Sequence, residues 1–286
     1  MDTVDTIESD MAAEQCAAPA VCIQQGSYLL ELSLDWIVLR ASENIHHLLG
    51  ESHVTLIDEP LGKFVHSQAL HDLRNLFSKL SGTTGIGRAY GIRLTDDPDL
   101  VDVAFQLAGG RVILEAAPST GSFGECFGSV GGLVAGLASS GGQALLDGGA
   151  RRMRALTGYD RVTLSCGDRR AESSRGAFGG PVDPADLPII VADTGGQAVG
   201  LFPREDEDTA AHAALLRAPE EGDRQELGAQ GIRSMLRIPF KAGALACEFC
   251  CESRSPRGPS FELHAAAELF AQMFALRLAI DEAANR

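Results

Sequence analysis

Seven cysteines carry the most reactive chemistry of this sequence, at Cys16, Cys22, Cys126, Cys166, Cys247, Cys250 and Cys251. Cys247 and Cys250 have the C-x-x-C spacing of zinc and redox sites. A structural zinc site needs a second ligand pair, and only Cys166 and scattered histidines remain to supply it. In a strand, Cys247 and Cys251 share one face with Phe249, while Cys250 lies on the other face. The pattern therefore favours buried free thiols over zinc or redox chemistry.

Histidine and serine give weaker signals. Five of the seven histidines lie between positions 46 and 71, at His46, His47, His53, His66 and His71. A histidine of this region could bind haem, but no feature selects one, so packing and surface roles are favoured. The sequence contains no G-x-S-x-G motif, which argues against a serine hydrolase. We expect a protein that is not an enzyme and holds no metal.

The charge balance narrows the choice of partner. The chain has 24 basic and 39 acidic residues, a net charge of −15. Nucleic acid and anionic membranes would repel such a chain, so neither is an expected partner. No run approaches the roughly 18 apolar residues of a membrane span. The acidic, polar start lacks the basic and apolar segments of a secretory signal, so we expect a cytoplasmic protein with free thiols.

Hydrophobic periodicity predicts the elements of the first part of the chain. The first 20 residues lack periodicity and are expected to form a flexible arm. Two paired strands, a helix and three further strands follow, at 27–33, 36–42, 67–80, 88–94, 101–107 and 111–118. Ser42 is predicted to cap a short helix that Gly50 ends.

A Gly/Ser/Pro-rich break at 118–125 separates this part from the second. Two glycine-rich helices are predicted within 126–157, with a break near 139–142 and a stop at Gly158. The rest alternates strands and helices. We predict extended segments at 160–166, 188–194 and 197–202, a short helix at 210–218, a hairpin of 232–240 with 244–252, and a long amphipathic helix at 261–286.

Several short motifs, taken in order, resemble the photosensory module of bacterial phytochromes. The sharpest is Thr-Gly-Tyr-Asp-Arg-Val at 157–162. The segment 23–30 is similar to the family's Ile-Gln-Pro-His-Gly-x-Leu-Leu, with Pro-His shortened to Gln. Weaker matches lie at Val38, Ser42 and Asn44, at Leu49-Gly50, and within 100–104, 184–188, 214–218, 231–234 and 255–257. Their order and spacing carry the resemblance, because no single motif does.

The resemblance implies an α/β (α+β) fold of tandem PAS and GAF domains, each an antiparallel sheet flanked by helices. The PAS domain would cover 21–118 and the GAF domain 126–286. A figure-of-eight knot would tie them, with the segment before the PAS domain threading a GAF loop. Such modules bind a linear tetrapyrrole, usually biliverdin, in the GAF pocket and lead into downstream signalling domains.

The same resemblance supplies candidate chromophore-binding residues. Cys16 lies in the arm, where the family has its attachment cysteine, and Cys22 is a second candidate. Asp186 and Pro188 stand at the family's Asp-Ile-Pro motif, which contacts the pyrrole nitrogens. Arg217 stands at a propionate-binding arginine, and Arg237 replaces a propionate-binding serine. Arginine suits this task because its guanidinium binds carboxylates in a bidentate manner.

Other pocket positions depart from the family. Asp223 and Ser253 replace two histidines, and Ser165 replaces a tyrosine. About a dozen residues after the Asp-Ile-Pro motif are absent, which removes a pocket helix with its own arginine. Glu220 and Glu221 add negative charge near Arg217, which would oppose a dianionic ligand.

Three functions follow from these observations. The first is a phytochrome-like signal-transduction module with a diverged pocket. The second is a working red/far-red photoreceptor fragment that binds a bilin. The third is a ligand-free scaffold that dimerises or docks a partner protein. The final helix has a wide apolar stripe and is a candidate homodimer interface.

Overall fold

The computed structural model describes residues 21–80, 85–119, 124–137, 140–180, 187–204 and 210–284. Within these ranges the chain forms twelve strands, in the order β1 (Cys22–Gln24), β2 (Tyr28–Leu32), β3 (Val38–Ser42), β4 (Gly87–Ile92), β5 (Val101–Ala108), β6 (Arg111–Pro118), β7 (Arg161–Cys166), β8 (Arg169–Ser174), β9 (Ile190–Val191), β10 (Ala198–Phe202), β11 (Ser234–Ala242) and β12 (Leu245–Ser253). The helices are α1 (His46–Leu49), α2 (His53–Leu56), α3 (Ser67–Leu80), α4 (Glu125–Ala135), α5 (Gly142–Thr157), α6 (Glu221–Ala229) and α7 (Phe261–Ala284). Single 3-10 turns lie at Leu61–Lys63 and Ala211–Ala213.

The strands form two antiparallel sheets. The seven-stranded sheet has the order β1-β10-β3-β2-β6-β5-β4, and the five-stranded sheet has the order β8-β7-β12-β11-β9. The mixed α/β architecture with flanked antiparallel sheets confirms the predicted fold class. The bounds of the two domains stay predictions.

The first part of the chain follows the sequence prediction closely. The paired strands β2 and β3, the helix α3 and the hairpin of β5 with β6 are all present. Gly50 ends α1 in the left-handed conformation, with φ of 75°. The capping role of Ser42 is wrong. Its hydroxyl instead accepts a hydrogen bond from the backbone N–H of Leu29 (3.2 Å), because Ser42 belongs to strand β3.

Strand β10 joins the two parts of the chain. It follows β9 in sequence, yet it pairs with β1 and β3 in the seven-stranded sheet. On the other side of β1, the N–H of Gln24 donates to the carbonyl of Leu216 (3.1 Å), and the N–H of Ala218 donates to the carbonyl of Cys22 (2.8 Å). Strand β1 therefore lies between two segments of residues 190–218. This stretch leaves the five-stranded sheet after β9 and packs against the seven-stranded sheet, and it is called the excursion below. The predicted knot requires this arrangement, and the knot itself stays a prediction.

The predicted helix at 210–218 is wrong in extent, because only the single 3-10 turn Ala211–Ala213 forms there. The backbone N–H groups beyond this turn have other partners, because those of Leu215 and Leu216 donate to the Glu115 carboxylate and that of Ala218 donates to the Cys22 carbonyl. N–H groups engaged outside the segment cannot also donate to carbonyls four residues earlier in an α-helix. Strand β8 and helix α6, in contrast, were not predicted.

Helices α5 and α7 cover one face of the five-stranded sheet, and α4 packs on α7. The core on this face is aromatic, with Phe249 of β12 beside Phe270 and Phe274 of α7. Packing against Phe274 explains why position 149 in the interior of α5 is a glycine. A Cβ at this position would lie 2.5 Å from the Phe274 ring. Close approach of the two helices offsets the low helix propensity of glycine.

Helix α7 is long and apolar enough to cross a membrane by length and composition alone. It meets this measure on average hydropathy, while Glu262, Glu268 and Arg277 interrupt any continuous apolar run of about 18 residues, as the sequence analysis expected. Buried residues make up 44% of its most apolar window, and they form the core under the five-stranded sheet. This packing is that of a core helix.

Candidate functional site

The candidate site is the face of the five-stranded sheet that points away from α5 and α7, hereafter the outer face. Side chains alternate along a strand, and Cys247, Phe249 and Cys251 lie in the core on the helix side. The intervening side chains of the three central strands therefore form the outer face: Arg161, Thr163 and Ser165 of β7, Met235, Arg237 and Pro239 of β11, and Glu248, Cys250 and Glu252 of β12. The predicted separation of Cys247 from Cys250 is confirmed.

A buried ion pair closes one end of the outer face. Arg161 and Glu252 stand opposite each other on β7 and β12, and each side chain is 2% exposed. The guanidinium donates from Nη2 to Oε1 (2.9 Å) and from Nε to Oε2 of Glu252. Its Nη1 also donates to the Gly179 carbonyl (2.7 Å). Phe178 covers the pair, with its ring 4.7 Å from the Arg161 guanidinium.

A second ion pair occupies the middle of the outer face. Arg237 donates from Nε to Oε1 of Glu248 (2.9 Å), and the two side chains are 11% and 19% exposed. Its Nη1 donates to the carbonyl of Leu187, and its backbone N–H donates to the carbonyl of Ile189 (2.8 Å). The charge of Arg237 is therefore neutralised by a carboxylate of the protein itself.

Apolar side chains cover the rest of this face. Their cluster consists of Leu187, Val191, Leu227, Ile232, Met235 and Cys250. Burial raises the pKa of the Cys250 thiol well above its usual value, so this cysteine is a neutral packing residue. The described part of the outer face is thus packed and internally charge-paired.

Arg217 lines a different cavity, of about 460 Å³, together with Cys22, His212, Glu220 and Glu221. Its backbone bridges to Ile23, and its carbonyl accepts a hydrogen bond from Gln24 Nε2 (3.1 Å). The two glutamates line this cavity and are exposed to solvent, and their effect on a ligand at Arg217 stays a prediction. Burial raises the pKa of the Cys22 thiol, which lowers its thiolate fraction near neutral pH.

The predicted site residues are brought together only in part. Pro188 is buried beside Leu187, whose carbonyl accepts from Arg237, so these two predicted residues are neighbours. Arg217 lines a cavity whose walls do not include Arg237. Cys16 and Asp186 lie outside the described residues.

The structure places three of the positions that differ from the family's pocket motifs. Ser253 is buried and donates to Oδ2 of Asp160 (3.0 Å), and Ser165 is exposed. Asp223 lies in the first turn of α6. Within the described segment 187–204, the chain passes from Pro188 into β9 without a helix, as the shortened sequence predicts. Of these three positions, Ser253 has a structural partner within the protein.

The structure also shows a buried carboxylate that the sequence analysis missed. Glu115 of β6 lies inside the molecule and accepts hydrogen bonds from the backbone N–H groups of Leu215 (2.9 Å) and Leu216 (2.8 Å). Burial raises its pKa to about 7, while the two hydrogen bonds and the charge of Arg88 oppose the shift. A glutamate inside the apolar run RVILEAAP was the available signal, since a buried carboxylate requires partners.

Gln24 fixes the other end of the same excursion. Its Nε2 donates to the carbonyl of Ile190 (2.6 Å), and its Oε1 accepts from the N–H of Ala192 (2.7 Å). Glu115 and Gln24 together anchor the excursion to the seven-stranded sheet and its edge strand β1.

Arg88 of β4 links the seven-stranded sheet to α7. Its Nη2 lies 2.7 Å from Nδ1 of His264 and 2.7 Å from Oε2 of Glu268. Burial and the charge of Arg88 lower the pKa of His264 to about 3, so this imidazole is neutral and can accept from Arg88. Polar contacts therefore connect the seven-stranded sheet to α7, the long helix that packs on the five-stranded sheet.

Comparison with known proteins supports the fold. No protein-family model and no curated protein matches the sequence. Among solved structures, the chromophore-binding domain of Stigmatella aurantiaca phytochrome P1 is 22% identical with a TM-score of 0.72, covering 91% of this chain and 98% of that one. The chromophore-binding domain of the bacteriophytochrome RpBphP3 from R. palustris is 22% identical with a TM-score of 0.72, covering 95% and 99%.

A longer structure of bacteriophytochrome RpBphP3 is 20% identical with a TM-score of 0.77. It covers 94% of this chain, which spans 61% of that longer structure. At this level of identity the likeness concerns the fold, and it agrees with the resemblance drawn from the motifs.

Proposed function

We propose that this chain is a phytochrome-like sensory module whose pocket has diverged and which works without a bilin. The observation that carries this proposal is the Arg237–Glu248 pair on the outer face, with the Leu187 carbonyl as a further acceptor. Arg237, which the resemblance assigns to a propionate, already donates its side-chain hydrogen bonds to acceptors of the protein itself. The module would pass on conformational change and catalyse nothing itself.

Electrostatics supports the diverged pocket. A propionate at Arg237 would have to displace Glu248 or approach it closely. Two unit charges 4 Å apart interact by about 4 kcal/mol at an intermediate dielectric constant. Glu220 and Glu221 line the same cavity as Arg217 and add negative charge at the second predicted cation, although both are exposed to solvent, which weakens their repulsion. A dianionic ligand would therefore meet carboxylates at both arginines.

The polar contact through Arg88 supplies a route for the signal. A movement of the 190–218 excursion would act on Glu115, whose carboxyl interacts with Arg88, and Arg88 contacts His264 and Glu268 of α7. We infer that α7 is the output element. It would act in the cytoplasm on a downstream signalling domain or a partner protein.

The first test is exposure of the purified chain to biliverdin. We expect neither a far-red absorption band nor a zinc-dependent fluorescent band on a denaturing gel, because Arg237 is already paired with Glu248. The Stigmatella aurantiaca chromophore-binding domain, treated in parallel, is the positive control. A fluorescent band that disappears in a Cys16→Ala variant would contradict the proposal.

A working bilin photoreceptor remains the second candidate function. The observation in its favour is the shared cavity of Cys22, Arg217 and His212, which combines a thiol with a cation. If this function is correct, biliverdin treatment gives a covalent adduct. Cys16→Ala and Cys22→Ala variants then identify the attachment residue.

A second copy of this chain is the partner that α7 fits best. Four apolar side chains on its surface are 40–64% exposed, at Leu269, Met273, Leu276 and Ile280. Their spacing of four, three and four residues is that of a coiled-coil seam. A symmetric dimer would pair this stripe with itself, since the same patch serves both copies.

The dimer is tested by charging the stripe. A Leu276→Lys/Ile280→Lys variant is expected to elute as a monomer in size-exclusion chromatography with light scattering, while the unaltered chain elutes as a dimer. Leu107→Lys is the matched control, because Leu107 is 58% exposed, similar to Leu276, but lies in the hairpin of the other sheet. A monomeric unaltered chain at high concentration would remove the dimer and favour other partners.

A further inference from the structure

Two cysteines from distant parts of the sequence face each other in the five-stranded sheet. Cys166 of β7 stands directly opposite Cys247 of β12. The adjacent N–H of Gly167 donates to the carbonyl of Ala246 (3.4 Å), which places the two cysteines at a non-hydrogen-bonded position of the ladder. At such positions the Cα atoms are about 4.5 Å apart and the side chains lie close. This spacing falls inside the range that a disulfide accepts.

The two thiols already contact each other. Both are reduced and buried on the helix side of the sheet, and they form a hydrogen bond between their side chains. The bond from Cys166 lowers the pKa of the Cys247 thiol, and Arg169 of β8 lowers it further. The same contact raises the pKa of Cys166. Cys247 is therefore the better nucleophile of the pair, and Cys166 supplies the proton of their hydrogen bond.

The pair lies near the end of α7. The charged groups that face it are Arg169 of β8 and Glu282 of α7, which form an ion pair with each other. The hairpin turn at Gly243 and the turn at Gly167 lie close by in sequence. A covalent link at this point would tie β7 to β12 beneath the last turns of α7.

We propose that Cys166 and Cys247 form a reversible intramolecular disulfide when the protein is exposed to hydrogen peroxide. The Cys247 thiolate attacks one peroxide oxygen, the O–O bond breaks, and a sulfenic acid forms with release of water after protonation. The Cys166 sulfur then displaces the sulfenic oxygen as a second water, and its own proton leaves with it. Two thiols lose two protons and two electrons, and hydrogen peroxide takes up both to become two waters.

The C-x-x-C motif does not provide this chemistry. Cys247 and Cys250 point to opposite faces of the sheet, and the Cys250 thiol is held neutral among apolar side chains. The redox partner of Cys247 is therefore Cys166 on the neighbouring strand, and not Cys250 of the C-x-x-C motif. The inference does not depend on whether a bilin binds.

Peptide mass spectrometry tests the disulfide directly. The full chain is treated with a small excess of hydrogen peroxide, alkylated under denaturing conditions and digested. We expect a linked peptide pair containing Cys166 and Cys247, lighter by two hydrogens than the sum of the reduced peptides. Dithiothreitol is expected to abolish it.

Two variants complete the test. Cys250→Ala should keep the link, because Cys250 lies on the other face. Cys166→Ala should lose it and leave Cys247 as a sulfenic acid that dimedone traps. A Cys247–Cys250 or intermolecular link, or the absence of any link in a protein that peroxide leaves folded, would overturn the proposal.

Discussion

Replacement of Glu252 by Leu is expected to lower the free energy of unfolding by about 3–5 kcal/mol. Arg161 is 2% exposed, and its Nε and Nη2 both donate to this carboxylate. Removal of the carboxylate leaves a buried guanidinium with only carbonyl acceptors at Gly179 and Gly180. A buried charge without a counter-charge is strongly destabilising, whereas the intact pair contributes little compared with an apolar replacement.

Urea denaturation of matched variants measures this effect. Glu248→Leu is the control, because Glu248 lies on the same strand and pairs with Arg237 in a more exposed position. Its expected cost is about 1.5–3 kcal/mol, the range for a hydrogen bond to a charged group. The double variant Arg161→Met/Glu252→Leu should recover most of the loss. Equal costs for Glu252→Leu and Glu248→Leu would show that the Arg161 pair is not buried as described.

The second large effect is expected at Glu115. Glu115→Ala should destabilise the fold by about 2–4 kcal/mol, because two buried backbone N–H groups lose their acceptor at once. Glu115→Gln should cost less, since the amide oxygen still accepts one bond while its NH₂ group faces the other donor. Hydrogen exchange should report the loss locally, with faster exchange at Leu215 and Leu216.

The same carboxyl predicts a pH dependence. Its pKa is about 7 in the folded chain, against an ordinary value of 4.5. The folded state therefore binds the proton more tightly, so the contribution of Glu115 is fully present below about pH 4.5 and is lost as the pH rises through about 7. The shift corresponds to about 3 kcal/mol over this window.

Denaturation of the unaltered chain and Glu115→Gln at about pH 5 and about pH 8 isolates this contribution. The advantage of the unaltered chain should be larger at the lower pH, because glutamine does not titrate. An advantage that is independent of pH would mean that Glu115 has the same pKa in the folded and unfolded chain.

The sequence by itself determined the local elements and the faces of the strands. Alternation along β12 assigned Cys247, Phe249 and Cys251 to one side and Cys250 to the other, as the structure confirms. Glycine at helix ends fixed the stops at Gly50 and Gly158, since both adopt the left-handed conformation that L side chains rarely adopt. These features depend on interactions between residues a few positions apart, so the local sequence is enough to predict them.

Only the tertiary structure decided the partners of the charged and reactive groups. Glu115 meets Leu215 across 100 residues, Arg161 meets Glu252 across 91, and Arg237 meets Glu248 of the next strand. Strand β10 likewise enters the other sheet, and Cys166 rather than Cys250 stands beside Cys247. Sequence spacing carries no information about such contacts, because the register of strands and the packing of the excursion set them only once the chain is folded.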